Sequence, residues 1–241
     1  MPDEGPAPVA GPHPPLRARL LAGQAPPSDR AVRVSYVART ECYARFGEWL
    51  WAELRERGLG APVADLAVVA DGSPHLDQLV DAQLRLPGTH LTRILDLPHA
   101  QGHLWAAAKA VFGEGAAAGT RWIQAPLLAL ERGQPELVCQ ALEALAAEHA
   151  ARSPDGADRA RKAAAYFSAR ADQVAYPAFL AQGYQVGSGL AESACKRFGT
   201  DRMKGAGMRW SLPGAQQVAT LRMLLLSDRW QEVADHCRAA A

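Results

Sequence analysis

The sequence has only four cysteines, and no two of them lie close together. Cys42, Cys139, Cys195 and Cys237 form no C-x-x-C pair, so they exclude a disulfide framework or a zinc knuckle and are typical of reduced cytosolic thiols. No apolar run is long enough to cross a bilayer, and the start of the chain lacks the apolar core of a signal peptide. We therefore expect a cytoplasmic protein with no membrane partner.

The sequence also has no large excess of charge of either sign. Its net charge is +1 and its pI is about 7.8, which excludes a generally basic nucleic-acid-binding protein. Residues 196–210 nevertheless hold five cations against one acid, a local charge of +4. A charge run alone is more typical of a solvated face, but this one would also suit a polyanion.

Apolar periodicity is missing from residues 1–31, which hold eight of the 17 prolines. Such a segment cannot bury enough surface to offset the entropy lost on ordering, so we predict that it is disordered. The apolar fraction of the whole chain, 49%, is enough to build a substantial core in the remainder.

Strand and helix patterns alternate in residues 32–114. Short apolar runs predict strands at residues 32–38, 65–70 and 90–97. Helical apolar spacing predicts helices at residues 41–57, 73–84 and 99–112. This order predicts an α/β fold with a parallel or mixed sheet.

No further strand is visible in residues 115–184. Alanine-rich segments separated by glycine and proline predict a large all-helical insertion, with helices at residues 121–131, 135–151, 158–170 and 174–180. We interpret its aromatic residues as the core of this bundle rather than as a base-stacking platform: Trp122, Tyr166, Phe167, Tyr176 and Phe179. Residues 211–241 predict two C-terminal helices.

Two aspartates, Asp71 and Asp96, lie at the carboxyl ends of predicted strands of the α/β unit. Ligand sites in open α/β sheets form beyond the carboxyl ends of the strands, although each aspartate alone is more often a helix cap or a turn residue. Glu192 lies on a helix in residues 185–210 that returns after the insertion. Three converging carboxylates could hold two Mg²⁺ ions about 4 Å apart across a phosphate.

Two histidines follow Asp96 at helical spacing, His99 and His103. With Asp96 they could ligate zinc, but a histidine that caps a helix or supports a neighbouring ligand is the commoner case.

Motifs around these residues are recognisable as those of a known family. They are V-V-A-D-G ending at Gly72, I-L-D-L-P-H-A around Asp96 and His99, L-W-A-A-A-K after it, G-S-G-L-A-E-S-A-C-K and R-M-K-G-A-G-M-R-W. They closely resemble DDE transposases of bacterial insertion sequences, of the ISKra-type group, from about residue 32 to residue 230. The resemblance implies an incomplete RNase H-like sheet, a helical insertion, Mg²⁺ or Mn²⁺ as cofactor, and transposon-end and target DNA as partners.

The resemblance also implies roles for individual residues. Asp71 matches the second aspartate of the family triad and Glu192 matches its glutamate, so both would be catalytic residues and metal ligands. Asp96 and His99 match an Asp-x-x-His signature that supports the site. The implied DNA-binding residues are Lys196, Arg202, Lys204, Arg209 and Trp210.

The first aspartate of the family triad has no counterpart in this sequence. In the family it lies on a strand well upstream of the segment matching residues 32–38, and only Asp3 and Asp29 are available here, neither in a strand-like context. The family's N-terminal DNA-binding region is missing as well. We therefore expect a truncated C-terminal part of a transposase that is catalytically inactive alone, because its metal pair loses a bridging ligand.

Two other classes of function stay open. A non-enzymatic DNA-binding or assembly protein derived from a transposase would keep the basic surface, act at the nucleoid, and could form a homo-oligomer through the sheet edge at residues 32–38. A small-molecule α/β phosphotransferase or hydrolase could also use the strand-end aspartates. The sequence has no glycine-rich phosphate loop and no G-x-S-x-G to support that reading.

Overall fold

A computed structural model describes residues 34–58, 65–85, 87–200 and 203–239 of the chain. The segment predicted to be disordered, residues 1–31, and the predicted DNA-binding residue Arg202 lie outside the described residues. The described elements, in chain order, are α1 (Tyr43–Glu56), β1 (Asp65–Ala70), α2 (Pro74–Gln83), β2 (His90–Leu95), α3 (Leu97–Phe112), α4 (Ala117–Trp122), α5 (Gln124–Glu131), α6 (Pro135–His149), α7 (Pro154–Ser168), a 3₁₀ turn (Ala171–Gln173), α8 (Tyr176–Ala181), α9 (Gly189–Cys195), a π turn (Lys196–Thr200), α10 (Leu212–Leu226) and α11 (Trp230–Ala239).

The two described strands pair in parallel, with α2 as the crossover between them. Asp65 lies opposite His90, and Ala70 lies opposite Leu95. The pairing continues one residue further, because the Asp96 backbone N–H donates to the Ala70 carbonyl at 2.8 Å. Both strands therefore end at the same edge, and the predicted α/β character is confirmed for this part of the chain.

The second strand is shorter than predicted. It ends at Leu95, because α3 begins at Leu97 with Pro98 in its first turn. Proline suits the first turn of a helix, where a backbone N–H has no partner within the helix. The two residues assigned to the strand end instead form the start of α3 and place Asp96 at its N-cap.

The strand predicted at residues 32–38 is wrong for residues 34–38, the part that the structure describes. Several of their backbone groups bond to side chains of Arg57, of α10 and of Ser227 just after α10, rather than to a neighbouring strand. The Tyr36 N–H donates to the Ser227 hydroxyl at 2.9 Å, and the Gln216 amide donates to the Ala38 carbonyl at 3.1 Å. Because side chains satisfy these groups, the segment needs no strand partner, and the alternating pattern in its sequence does not indicate a strand here.

The core of the helical insertion lies where α7 packs against α3 and α6. The approach to α3 is close: a Cβ atom on Gly156 would lie only 2.7 Å from the Ala110 carbonyl oxygen. The predicted core aromatics Phe167, Tyr176 and Phe179 are buried. Tyr166 is a correction, because it is half-buried and stacks on a histidine of α3.

The helix predicted at residues 121–131 is broken into α4 and α5 at Ile123. Pro126 lies in the first turn of α5, where it is tolerated, but it cannot donate the backbone hydrogen bond that would continue α4. The insertion is thus all-helical as predicted over its described residues, with one more break than predicted.

Among the residues that the structure describes, no helix is both long and apolar enough to span a membrane.

Candidate functional site

Asp71 stands in the exposed loop that follows β1. Its Oδ1 accepts the backbone N–H of Ser73 at 2.8 Å, which makes it the turn residue that its sequence context allows. This is its one side-chain hydrogen bond with a described residue, so the second carboxylate oxygen is free to meet a ligand.

Asp96 is buried, with only 3% of its surface exposed, and both of its carboxylate oxygens accept hydrogen bonds from Ser188. The Ser188 backbone N–H donates to Oδ1 at 2.9 Å, and the Ser188 hydroxyl donates to Oδ2 at 3.0 Å. The Leu97 N–H donates to the Val186 carbonyl at 2.9 Å, which adds a third contact between the same two segments. Asp96 is thus the anchor, the residue that holds the returning segment (residues 186–195, which include α9) against the end of β2.

Glu192 lies one helical turn after Ser188, the residue that bonds to Asp96. Its backbone N–H donates to the Ser188 carbonyl at 2.9 Å, and residues four apart lie on the same helix face. The Glu192 side chain is exposed and makes no hydrogen bond or ion pair with a described residue. The structure therefore joins Glu192 to the strand ends through Ser188 and not by direct contact with Asp71.

The ligand set expected for a metal ion is incomplete in the described part of the chain. No group of three or more histidine, cysteine, aspartate or glutamate side chains is close enough there to hold an ion. Neither Asp71 with Glu192 nor Asp96 with His99 and His103 makes such a group. The described residues therefore do not fit a metal held by three protein ligands, whether Mg²⁺ or zinc.

A column of stacked side chains runs from α3 to α7 beside Asp71. The exposed His99 ring meets the edge of the His103 ring, with centroids 5.2 Å apart, and the His103 ring stacks on Tyr166 at 4.0 Å. The Arg170 guanidinium lies 4.5 Å above the Tyr166 ring on α7. These contacts are of the aromatic and cation–π kinds that stabilise partly buried rings.

Two members of this column hold the loop that carries Asp71. The Tyr166 hydroxyl donates to the Asp71 carbonyl at 2.8 Å, and Arg170 Nη2 donates to the Gly72 carbonyl at 2.6 Å. Burial raises the pKa of Tyr166 to about 12, so this hydroxyl stays protonated and able to donate at physiological pH. Side chains of the helical insertion thus hold the loop after β1 in place by hydrogen bonds to its backbone carbonyls.

Sequence reasoning missed Ser188, Tyr166 and Arg170. Tyr166 and Arg170 are four residues apart in the helix predicted at residues 158–170, although the structure ends α7 at Ser168. Nothing local to them in the sequence indicates a loop 95 residues or more away. Ser188 is the central residue of the G-S-G motif. The two glycines of that motif indicated a helix start, but it is the serine that bonds to Asp96.

Positive charge and burial both act on His103. Burial lowers its pKa below the ordinary value of 6.5, and electrostatic interactions with His99, Arg170 and Arg159 lower it further, against a smaller opposing effect of Asp71. At neutral pH the His103 ring is therefore uncharged and can stack on Tyr166 without repelling Arg170.

Acid should destabilise the protein through His103. Its pKa is lower in the folded than in the unfolded chain, so its contribution to the free energy of unfolding is present above pH 6.5 and is lost as pH falls through the folded value. Urea denaturation above and below pH 6.5 should show a smaller acid-induced loss in His103→Gln than in the wild type. The same loss in both proteins would contradict this role for His103.

The basic segment, residues 203–210 together with the π turn, carries cations without acidic partners. Lys196, Lys204 and Arg209 are exposed, and none of them has an ion pair or hydrogen bond with a described residue. Trp210 is 42% exposed, and its indole N–H donates to the Met203 carbonyl at 3.2 Å, which closes the segment into a loop. These predicted DNA-binding residues thus present free charge at the surface.

Comparison of the chain with protein-family models, curated proteins and solved structures gave no match. Its relation to insertion-sequence transposases stays a prediction from the sequence motifs.

Proposed function

We propose that this chain belongs to the DDE-type insertion-sequence transposases, and that it binds DNA but does not cleave it alone. The observation that supports the proposal best is the double hydrogen bond from Ser188 to Asp96. It brings the segment that carries Glu192 to the sheet edge where Asp71 lies, as a carboxylate-based phosphoryl-transfer site requires.

The fold proposed for this part is an incomplete RNase H-like sheet with a helical insertion. Parallel β1 and β2 would be two of its strands, and α9 would be the returning helix of the catalytic glutamate. The insertion packs back onto the sheet edge through Tyr166 and Arg170, so the carboxylate loop and the insertion form one structural unit.

The proposed substrate is the phosphate backbone of DNA. Lys196, Lys204 and Arg209 are free of acidic partners among the described residues, so they can neutralise phosphates without first breaking an ion pair. Trp210 adds an exposed aromatic surface to the same loop.

Charge reversal in the basic segment tests DNA binding. We expect Lys204→Glu/Arg209→Glu to bind a short DNA duplex at least about tenfold more weakly than the wild type. In a plot of log K against log salt concentration, the magnitude of the slope should fall by about 2, because two phosphate contacts are lost. Fluorescence anisotropy at several salt concentrations measures both quantities.

A matched control removes the same charge elsewhere. Arg132→Glu/Arg152→Glu changes two exposed arginines of the helical insertion that have no ion pair with a described residue. This variant should keep near-wild-type affinity. Equal weakening in both variants would show that only net charge matters, and a folded wild-type protein that fails to bind DNA would refute the proposed function.

Cleavage is expected to be absent. Because no group of three metal-binding side chains forms among the described residues, the purified protein should leave supercoiled plasmid intact in Mg²⁺ or Mn²⁺. Gel electrophoresis of the plasmid checks this. Robust nicking that disappears in both Asp71→Ala and Glu192→Ala would contradict the requirement for a missing ligand.

A second candidate is a DNA-binding or assembly protein that derives from a transposase and functions without chemistry. The unpaired cations of the basic segment and the incomplete ligand set favour it equally. The nucleotide sequence upstream of the Met1 codon distinguishes these two candidate functions. A reading frame there that encodes a strand ending in aspartate would support the transposase. Unrelated sequence would support the non-enzymatic protein.

A further inference from the structure

The pre-α1 segment, residues 34–40, is bound to the rest of the chain through every second residue. Its hydrogen-bonded backbone groups belong to Val34, Tyr36, Ala38 and Thr40. Their partners are the side chains of Arg57, Ser227 and Gln216. A period of two is that of an extended chain, in which successive residues direct their N–H and C=O groups to opposite sides.

The spacing of these partners also requires an extended path. Gln216 and Ser227 are about 16 Å apart along the axis of α10 at the helical rise per residue. Thr40 and Tyr36, which bond to them, can be at most about 14 Å apart in a fully extended chain. The long Gln216 side chain covers the small difference, so the pre-α1 segment runs nearly extended along α10.

The odd-numbered side chains of the segment face α1 and the residue that ends it. Ser35 Oγ accepts from Arg57 Nε at 3.0 Å, and the Arg39 guanidinium lies 3.7 Å above the centre of the Trp49 ring. Val37 lies between them in the chain and lines the same small cavity as Trp49. The segment therefore rests with one face on α1 and one edge on α10.

The other edge of the segment is open. The backbone N–H and C=O groups of Ser35, Val37 and Arg39 have no hydrogen bond with a described residue. All three residues are only partly buried. A row of unpaired backbone groups on an extended chain is a template for pairing with another strand. Side chains satisfy one edge, so a strand partner can be added only at this one.

A second copy of the same segment fits this edge. In an antiparallel pair centred on Val37, that residue lies opposite Val37 of the second copy, and Ser35 lies opposite Arg39. The open groups of the two copies then bond to each other, and no two like charges lie opposite. Each copy supplies the strand that the other lacks, which is the arrangement of a two-fold dimer.

We infer that two copies of this chain form a dimer by pairing their pre-α1 segments as antiparallel strands, with Val37 on the two-fold axis. The inference does not depend on the proposed function. The interface is one short strand pair, so the dimer is weak and depends on protein concentration.

Sedimentation velocity over a range of concentrations tests the dimer. We expect the wild type to change from monomer to dimer as its concentration rises from about 1 to about 500 µM. Val37→Pro should dimerise at least about tenfold more weakly, because it removes the central N–H of the open edge. Val37→Thr, which keeps that N–H and a branched side chain, should dimerise like the wild type.

The monomer should tolerate the proline. The Val37 N–H has no partner in the described chain, and proline suits an extended path. At low protein concentration, Val37→Pro and the wild type should therefore unfold at the same urea concentration.

Charged substitutions of Val37 test the register. Val37→Lys and Val37→Glu each place like charges opposite one another at the two-fold axis, so each variant alone should stay monomeric. An equimolar mixture of the two should dimerise, because lysine then faces glutamate. Only a register that brings Val37 opposite itself predicts this rescue.

Three outcomes would overturn the inference. They are a wild type that stays monomeric at every concentration, a Val37→Pro dimer as tight as that of the wild type, and a mixture of the charged variants that stays monomeric. None of them bears on DNA binding, which the charge reversal in the basic segment tests separately.

Discussion

Asp96→Ala is expected to lower the free energy of unfolding by about 3 kcal/mol. The substitution removes a buried carboxylate and two hydrogen bonds to it, each of which contributes roughly 1.5 kcal/mol or more because one partner is charged. It also leaves the Ser188 N–H and hydroxyl without their acceptor. Urea denaturation measures the loss, and limited proteolysis should show faster cleavage around residues 186–195.

Two variants serve as controls for Asp96→Ala. Ser188→Ala removes only the hydroxyl bond and should cost about half as much, since its backbone N–H still donates to Asp96. Asp71→Ala should cost far less, because that carboxylate is exposed and makes one local bond. If Asp96→Ala were no worse than Asp71→Ala, Asp96 would not be the anchor of the returning segment.

Gly72→Ala is expected to cost about 3 kcal/mol as well. Gly72 has a φ of +74°, where a side chain costs roughly 1–2 kcal/mol, and a Cβ atom there would lie 2.5 Å from Arg170 Nε. That nitrogen is buried, and a shift of the Arg170 side chain away from the new methyl group would stretch its hydrogen bond to the Gly72 carbonyl. Urea denaturation again measures the effect.

Gly88→Ala isolates the backbone part of this cost. Its φ is +77°, almost the same, but no atom lies within 4 Å of the added Cβ. We expect a loss of about 1 kcal/mol there. Equal losses at Gly72 and Gly88 would mean that the Arg170 contact does not constrain the loop.

A double mutant tests the same contact from the other side. Arg170→Ala removes the side chain that the new methyl group would strike, so Gly72→Ala/Arg170→Ala should be less destabilised than the sum of the two single variants. Additive losses would show that the two residues act independently.

Much of the local structure could be predicted from the sequence. The apolar run of β1 and the spacing in α1, α2 and α7 predicted elements that the structure has, with ends shifted by a few residues at proline and glycine. The strand predicted at residues 32–38 was wrong for the described residues 34–38, since alternation alone does not show whether backbone groups bond to another strand or to side chains such as those of Ser227 and Gln216.

The candidate site could be predicted in part. Asp71 and Asp96 were expected at the ends of parallel strands, and both lie there, but their sequence contexts do not distinguish an exposed turn residue from a buried anchor. That difference depends on Ser188, which is 92 residues from Asp96 in the chain. The catalytic and DNA-binding roles of the site stay predictions from the motifs.

The sequence by itself determined where both described strands and most described helices form, because capping, turn chemistry and apolar periodicity act over a few neighbouring residues. It also determined the local charge of residues 196–210. Only the tertiary structure decided that Ser188 holds Asp96 and that Tyr166 and Arg170 hold the loop of Asp71. Each of these contacts joins residues more than 90 positions apart, and their geometry depends on how α7 and the returning segment pack against the sheet, which no local pattern specifies.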